Sequence, residues 1–96
     1  VVVRENSEGE YAGLGGRNLS GRGPGNEVAL QTALFTDKGC ERIIRFAFDL
    51  ARTRAVKKVS SVTKSNAQQY GMVLWDEVFA RVAQDYPDVA HESVLV

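Results

Sequence analysis

The chain has 96 residues, 44% of them hydrophobic, with 12 basic and 12 acidic side chains and no net charge. That length supports one core rather than two, which excludes a complete two-domain enzyme. A sequence pI near 6.8 lacks the basic excess of a general nucleic-acid binder. One cysteine, Cys40, and one histidine, His91, exclude an internal disulfide and a Cys/His zinc site, and point to a reducing, cytoplasmic setting. No stretch approaches the roughly 20 apolar residues of a membrane helix, so no membrane partner is expected. Both ends are apolar, residues 1–3 and 94–96, where natural termini tend to be polar and frayed. The chain therefore reads as an excerpt of a longer protein.

Residues 1–3 are β-branched, and no apolar side chain follows before Tyr11, which predicts a buried strand running out into a loop. Residues 13–25 hold six glycines, too permissive a composition for an element interior, and predict a turn or an extended arm. Residues 27–36 gain strand formers toward their end, as a returning strand would. Thr36 or Asp37 can cap a helix in which Cys40, Ile43, Ile44, Ala47, Leu50 and Ala51 recur at helical spacing. Phe46 and Phe48 fall about 100° to either side of that stripe. Residues 57–63 form a short β-rich run. A second helix opens on a capping-box match, Ser65 with Gln68, and runs through Met72, Trp75, Val78, Phe79, Val82 and Tyr86 to a stop at Pro87. Val73 and Leu74 widen its apolar face, so its preferred partner is another chain. Residues 91–96 are a final strand.

Charge is balanced in total but not along the chain. Lys38, Arg42, Arg45, Arg52, Arg54, Lys57, Lys58 and Lys64 face only Glu41 and Asp49, whereas Asp76, Glu77, Asp85, Asp88 and Glu92 face only Arg81. Such asymmetry marks solvated helix faces, an anion site or complementary subunit patches.

The glycine tract is not a phosphate loop. Gly13 and Gly15 would need glycine at 18, and Gly21 and Gly23 at 26, but both positions are Asn, and the next helix lies too far on for its N-terminus to cradle a phosphate. Arg17 and Arg22 among the glycines form a weak RGG-type segment, and Asn18, Leu19 and Ser20 spell a glycosylation sequon. The densest polar cluster is Arg4-Glu-Asn-Ser-Glu-Gly-Glu-Tyr11. It follows a predicted strand, in a place where side chains are held yet reach a ligand. An arginine there can fork onto a carboxylate, and a tyrosine offers one transferable proton. Lys64, Ser65 and Asn66 sit where a strand hands over to a helix, a common site position in α/β proteins. A partly desolvated lysine there can serve as a base, its pKa lowered from about 10.4.

Together, residues 4–11 and Val62-Thr-Lys-Ser-Asn66, separated by a glycine arm and one helix, resemble the β-decarboxylating dehydrogenases, the isocitrate and isopropylmalate dehydrogenase family. The resemblance extends to Phe35-Thr-Asp-Lys-Gly39, Phe46-Ala-Phe48 and Trp75-Asp76. Leu14-Gly-Gly-Arg17 and Trp75-Asp76 look most like the tartrate and D-malate branch, while Ala12-Gly13 after Tyr11 resembles the isocitrate and isopropylmalate types.

The resemblance implies part of an α/β/α mixed-sheet fold in the order strand, arm hairpin, helix, strand, helix, strand. Residues 1–96 would be the dimerisation and small-domain portion, with an arm at about 13–35. It implies that Arg4 clamps a substrate carboxylate, that Tyr11 protonates the enol after carbon dioxide leaves, that Lys64 takes the hydroxyl proton, and that Asn66 lies near the nicotinamide. The implied substrate is a small 2-hydroxy dicarboxylic acid. The implied cofactors are NAD and a divalent metal, Mg or Mn, with the metal ligands outside this chain. A homodimer with shared sites is expected, because the family's lysine reaches into the neighbouring subunit. This chain alone would then be catalytically silent. The competing expectation is a non-enzymatic dimerisation or RGG-type module.

Overall fold

The computed structural model describes residues 1–18 and 23–96. Its elements are β1 (Gly9–Asn18), β2 (Val28–Leu34), α1 (Asp37–Arg52), β3 (Lys58–Thr63), α2 (Gly71–Ala83) and β4 (Ala90–Leu95). β1 and β2 pair antiparallel, whereas β3 and β4 pair in parallel with α2 as the crossover between them. The α/β order read from the sequence holds from the arm onward, with the antiparallel and parallel pairs standing as separate two-stranded sheets. Arg22 of the RGG-type reading and Leu19 and Ser20 of the sequon lie outside the described residues. No helix among the described residues is long and apolar enough to cross a membrane.

Residues 1–3 do not form the expected strand. Val1 and Val2 are 85% and 91% exposed, and a strand persists only with a neighbour to share its ladder, which the described residues do not supply. The glycine-rich segment departs in the other direction, because β1 runs through Gly13, Gly15 and Gly16 to Asn18. At Gly15, φ is +152° and an added Cβ would lie 2.2 Å from the Leu30 carbonyl oxygen, so the two strands approach here as only glycine permits. The hairpin stands off from the helices, with every β2 residue exposed, and the molecule is accordingly 58 Å long by 22 Å by 21 Å.

Thr36 is the N-cap of α1, and its hydroxyl accepts from the Gly39 N–H. Asp37 in the first turn and Arg52 in the last complement the helix dipole. Of the two flanking phenylalanines, Phe48 turns inward and is fully buried, whereas Phe46 is exposed. α2 starts later than the Ser65–Gln68 match predicts. The Lys64 carbonyl takes the Ala67 and Gln68 N–H groups at 3.0 and 2.8 Å, closing a turn, and the helix begins at Gly71 without a side-chain cap. The Phe35 ring packs against that start, lying where a Gly71 side chain would project. The helix also ends before Pro87, at Ala83, where the Asp85 and Tyr86 N–H groups turn back to Val82 and Ala83.

The core lies between the helices: Cys40, Ile44, Phe48 and Ala51 of α1 meet Val78, Phe79 and Val82 of α2, with Tyr86 and Val89 closing one end. The buried hydroxyls of β3 are satisfied from α2, Ser61 by the Trp75 indole at 2.9 Å and Thr63 by the Met72 sulfur at 3.7 Å. Part of the charge asymmetry is paired within the chain. Arg45 pairs with Asp85 at 2.8 Å, Arg52 with Asp88 at 2.9 Å and Lys58 with Glu92 at 3.1 Å, so the basic segment faces the acidic tail.

Phe48 is the ring on which this packing converges, 5.5 Å from Phe79 and 5.0 Å from Tyr86. Phe48→Ala in the intact protein should lower unfolding stability by about 3–5 kcal/mol, measured by urea denaturation. A loss under about 1 kcal/mol would show that the helix contact does not rest on it.

Candidate active site

The polar loop between residue 4 and Tyr11 is held by its own carboxylates. Glu5 accepts from the Ser7 N–H and hydroxyl, from the Glu8 N–H at 3.2 Å and from Arg42 of α1 at 3.2 Å. Glu8 reaches the start of α1, where its two oxygens accept from the Thr36 N–H at 3.1 Å and the Thr36 hydroxyl at 2.6 Å. The Glu8 carbonyl in turn accepts from the Tyr11 N–H at 3.2 Å. β1 is irregular here: Gly9 lies opposite Leu34 but Leu14 opposite Thr32, so Tyr11 sits on a bulge. Bulges of this kind re-aim side chains next to sites.

The result brings two of the sequence candidates together. The Arg4 guanidinium lies over the Tyr11 ring, 5.4 Å from its centroid, and Arg4 Nε donates to Asn6 Oδ1 at 2.8 Å. Tyr11 is 56% exposed, so its hydroxyl is open to a ligand. Both residues line a cleft of about 1150 Å³ whose floor is apolar, with Ile43, Ile44 and Ala47 of α1, Val59 of β3 and Trp75 and Phe79 of α2. Cys40 is also on that floor. Burial first, then the carboxylates of Glu8, Asp37 and Glu5, push its thiol up, which keeps it protonated and unreactive.

Lys64 and Asn66 are not among the residues that line this cleft. They sit on the turn after β3, where Lys64 is half-buried with its ammonium donating to the Val96 carbonyl, and Asn66 is exposed. The structure thus joins Arg4 to Tyr11, whereas Lys64 and Asn66 are outside the lining of the cleft. Among the described residues no three His, Cys, Asp or Glu side chains converge. Sequence reasoning missed Glu5, Glu8 and Thr36 as the groups that hold the site loop. Their only signal is the density of carboxylates ahead of Tyr11 and the cap-forming threonine.

An arginine beside an exposed phenol is a pair whose chemistry can engage a carboxylate and donate a proton, carried here on an α/β scaffold. The isocitrate/isopropylmalate dehydrogenase family model matches residues 1–96, and the chain belongs to that family. It is 54% identical over 96 residues to a probable tartrate dehydrogenase/decarboxylase from Agrobacterium vitis, covering all of this chain and 26% of the relative. It is 47% identical over 88 residues to the decarboxylating D-malate dehydrogenase of Escherichia coli K12, covering 92% of this chain and 24% of the relative. The crystal structure of isocitrate dehydrogenase from Methylococcus capsulatus superposes with a TM-score of 0.79 at 35% identity, over 92% of this chain and 25% of that one. The chain spans about a quarter of the length of the curated relatives it matches.

The loop has a defined acid response. The Ser7 hydroxyl and N–H, joined by Arg42 and the Glu8 N–H and opposed by desolvation, hold the Glu5 carboxyl down from the ordinary 4.5 to about 2. A depressed carboxyl contributes fully above its unfolded value and loses that contribution as pH falls through its folded one. The difference in urea midpoint between the intact parent and its Glu5→Gln variant should therefore be constant above pH 4.5 and shrink as pH falls toward about 2. Parallel acid profiles for the two proteins would remove Glu5 as the titrating tether.

Proposed function

We propose that the intact protein is an NAD-dependent, metal-requiring oxidative decarboxylase of a 2-hydroxy dicarboxylic acid of the tartrate or D-malate type. The observation that carries this reading is the Arg4–Tyr11 pair on a chain matched by the family model over its whole length. Arg4 binds a carboxylate of the acid, and its stack on Tyr11 keeps the phenol beside the bound substrate. Tyr11 gives its proton to the carbon of the enolate left by decarboxylation, which becomes the ketone product. Lys64 would accept the hydroxyl proton during oxidation of the alcohol, Asn66 would help hold the nicotinamide amide, and the cofactor, when bound, would take up the hydride. The metal, when bound through residues outside this chain, supplies Lewis-acid stabilisation of the enolate. A cleft of about 1150 Å³ exceeds the roughly 300–1,000 Å³ of an ordinary ligand pocket, so we assign its apolar floor to contact with the rest of the protein and its polar rim to the acid. The lone cysteine fits a reducing cytoplasm.

The same reading makes the enzyme a homodimer with shared sites, Lys64 of one subunit serving Arg4 and Tyr11 of the other. Three features support it. Lys64 is outside the lining of the Arg4–Tyr11 cleft. The hairpin is exposed along both strands, with Leu30 68% accessible, although an isolated two-stranded hairpin is marginal in water. On α2, Val73 is exposed and the neighbouring Asp76 has a buried oxygen with no hydrogen-bond partner among the described residues.

Lys64→Met in the full-length enzyme should cut hydride transfer by about 10²–10⁴-fold, the ordinary worth of a general base, and Tyr11→Phe should slow enol protonation more than oxidation. NADH formation at the parent rate by Lys64→Met with tartrate, D-malate, isopropylmalate and isocitrate would end the assignment. Co-expressing the two variants should restore activity, since one of the two shared sites in each mixed dimer is then intact. A mixed population as inactive as either variant would show that each subunit holds its own site.

A further inference from the structure

Glu8 does more at the start of α1 than bridge two residues. With Thr36 as N-cap, Gly39 occupies the third helical position, where a capping box places a Glu or Gln that folds back onto the N-cap N–H. Glycine cannot supply that group. The carboxylate that bonds the Thr36 N–H at 3.1 Å comes instead from Glu8, 28 residues earlier. It occupies the volume a side chain at position 39 would need: an added Cβ would lie 2.1 Å from Glu8 Oε1 and 2.7 Å from Oε2. Thr36 works in both directions, its hydroxyl donating to Glu8 Oε2 at 2.6 Å while accepting from the Gly39 N–H at 3.0 Å. The backbone of Glu8 completes the tie, because its carbonyl holds the Tyr11 N–H.

We infer that Glu8 is a positioning residue, completing the cap of α1 from outside the helix so that the vacant side-chain site at Gly39 docks the loop bearing Arg4 and Tyr11 in working geometry. This rests on the roles proposed above for Arg4 and Tyr11. A helix cap alone does not account for the arrangement. A Glu at position 39 would satisfy the same N–H locally, with no need of a distant loop, and glycine is a weaker helix former than the residues it displaces.

Gly39→Glu separates the two roles, since it offers α1 a local capping box and evicts Glu8. In the intact enzyme we expect Gly39→Glu to keep or raise the melting temperature, to speed amide exchange across residues 4–11, and to lower kcat/KM by about 10–100-fold with kcat sharing the loss, as misplaced catalytic groups do. Thr36→Ser, which retains the hydroxyl, should stay within about twofold of the parent. Adding Gly39→Glu to Glu8→Ala should cost nothing beyond Glu8→Ala, because the evicted group is already gone. Unchanged loop exchange in Gly39→Glu overturns the anchor, and faster exchange with parental kinetics overturns the positioning role. A parent enzyme that oxidises none of the four acids sinks the functional reading and the positioning role with it, while exchange still decides whether the anchor exists.

Discussion

The burial of Phe48 between Phe79 and Tyr86 sets how α1 lies on α2, and the positions of the other elements follow from it. A fully buried phenylalanine is worth about 1.5–3 kcal/mol against leaving it exposed, and this one touches both the helix partner and the segment leading into β4. Tyr86 is itself fixed by donating to Asp49 at 2.7 Å, with the Arg52 guanidinium 4.3 Å above its ring. Once α1 is oriented, its N-terminus points at the loop before β1. The Trp75–Ser61 and Met72–Thr63 contacts carry the same orientation through α2 to β3, at whose end Lys64 sits. The core thus aims both halves of the candidate chemistry, though neither Arg4 nor Lys64 belongs to it.

The ion pairs around the core have a smaller role. Arg81 forks onto Asp37 at 2.7 and 3.0 Å and reaches Glu41 at 2.8 Å, while Arg45 spans Glu41 and Asp85. All are substantially exposed, and each such pair contributes about 0–1 kcal/mol. Their geometry matters more than their strength, because they lie along the rim of the interface that Phe48 fills and reward only one helix register. They also pair part of the segregated charge that, in the sequence alone, marks solvated helix faces and less often an anion site.

What could be read without coordinates was what depends on neighbours in sequence. α1, β3 and β4 follow from apolar spacing and β-branched content, and Thr36 was recognisable as a cap. The misjudged segments answer to distant parts of the chain. Residues 1–3 have strand composition but no strand beside them. Gly13, Gly15 and Gly16 have turn composition, yet pairing with β2 and the close approach to Leu30 draw them into β1. The Ser65–Gln68 match satisfies a local rule, but the chain there closes a turn on the Lys64 carbonyl and α2 begins at Gly71, against the Phe35 ring. Arg4 and Tyr11 were visible as a polar cluster, and only their juxtaposition required the fold. Glu8 was not legible as an anchor, since its partner is 28 residues away and the sign of it, a glycine at the third helical position, is a missing side chain.

The same residues that stabilise the scaffold therefore orient the candidate site. A local carboxylate at position 39 would have capped α1 more simply, with no long-range closure entropy to offset. Taking that carboxylate from the Arg4–Tyr11 loop makes helix and loop mutually dependent: the loop is ordered where α1 is formed, and α1 is fully capped where the loop is docked. The Arg4 guanidinium then needs no further tether than Asn6 and the Tyr11 ring, because the backbone beneath both is already held at Glu8. Lys64 is ordered by a separate device, the turn closed on its own carbonyl. The two groups are thus anchored independently, Arg4 and Tyr11 through the Glu8 loop and Lys64 through its own turn.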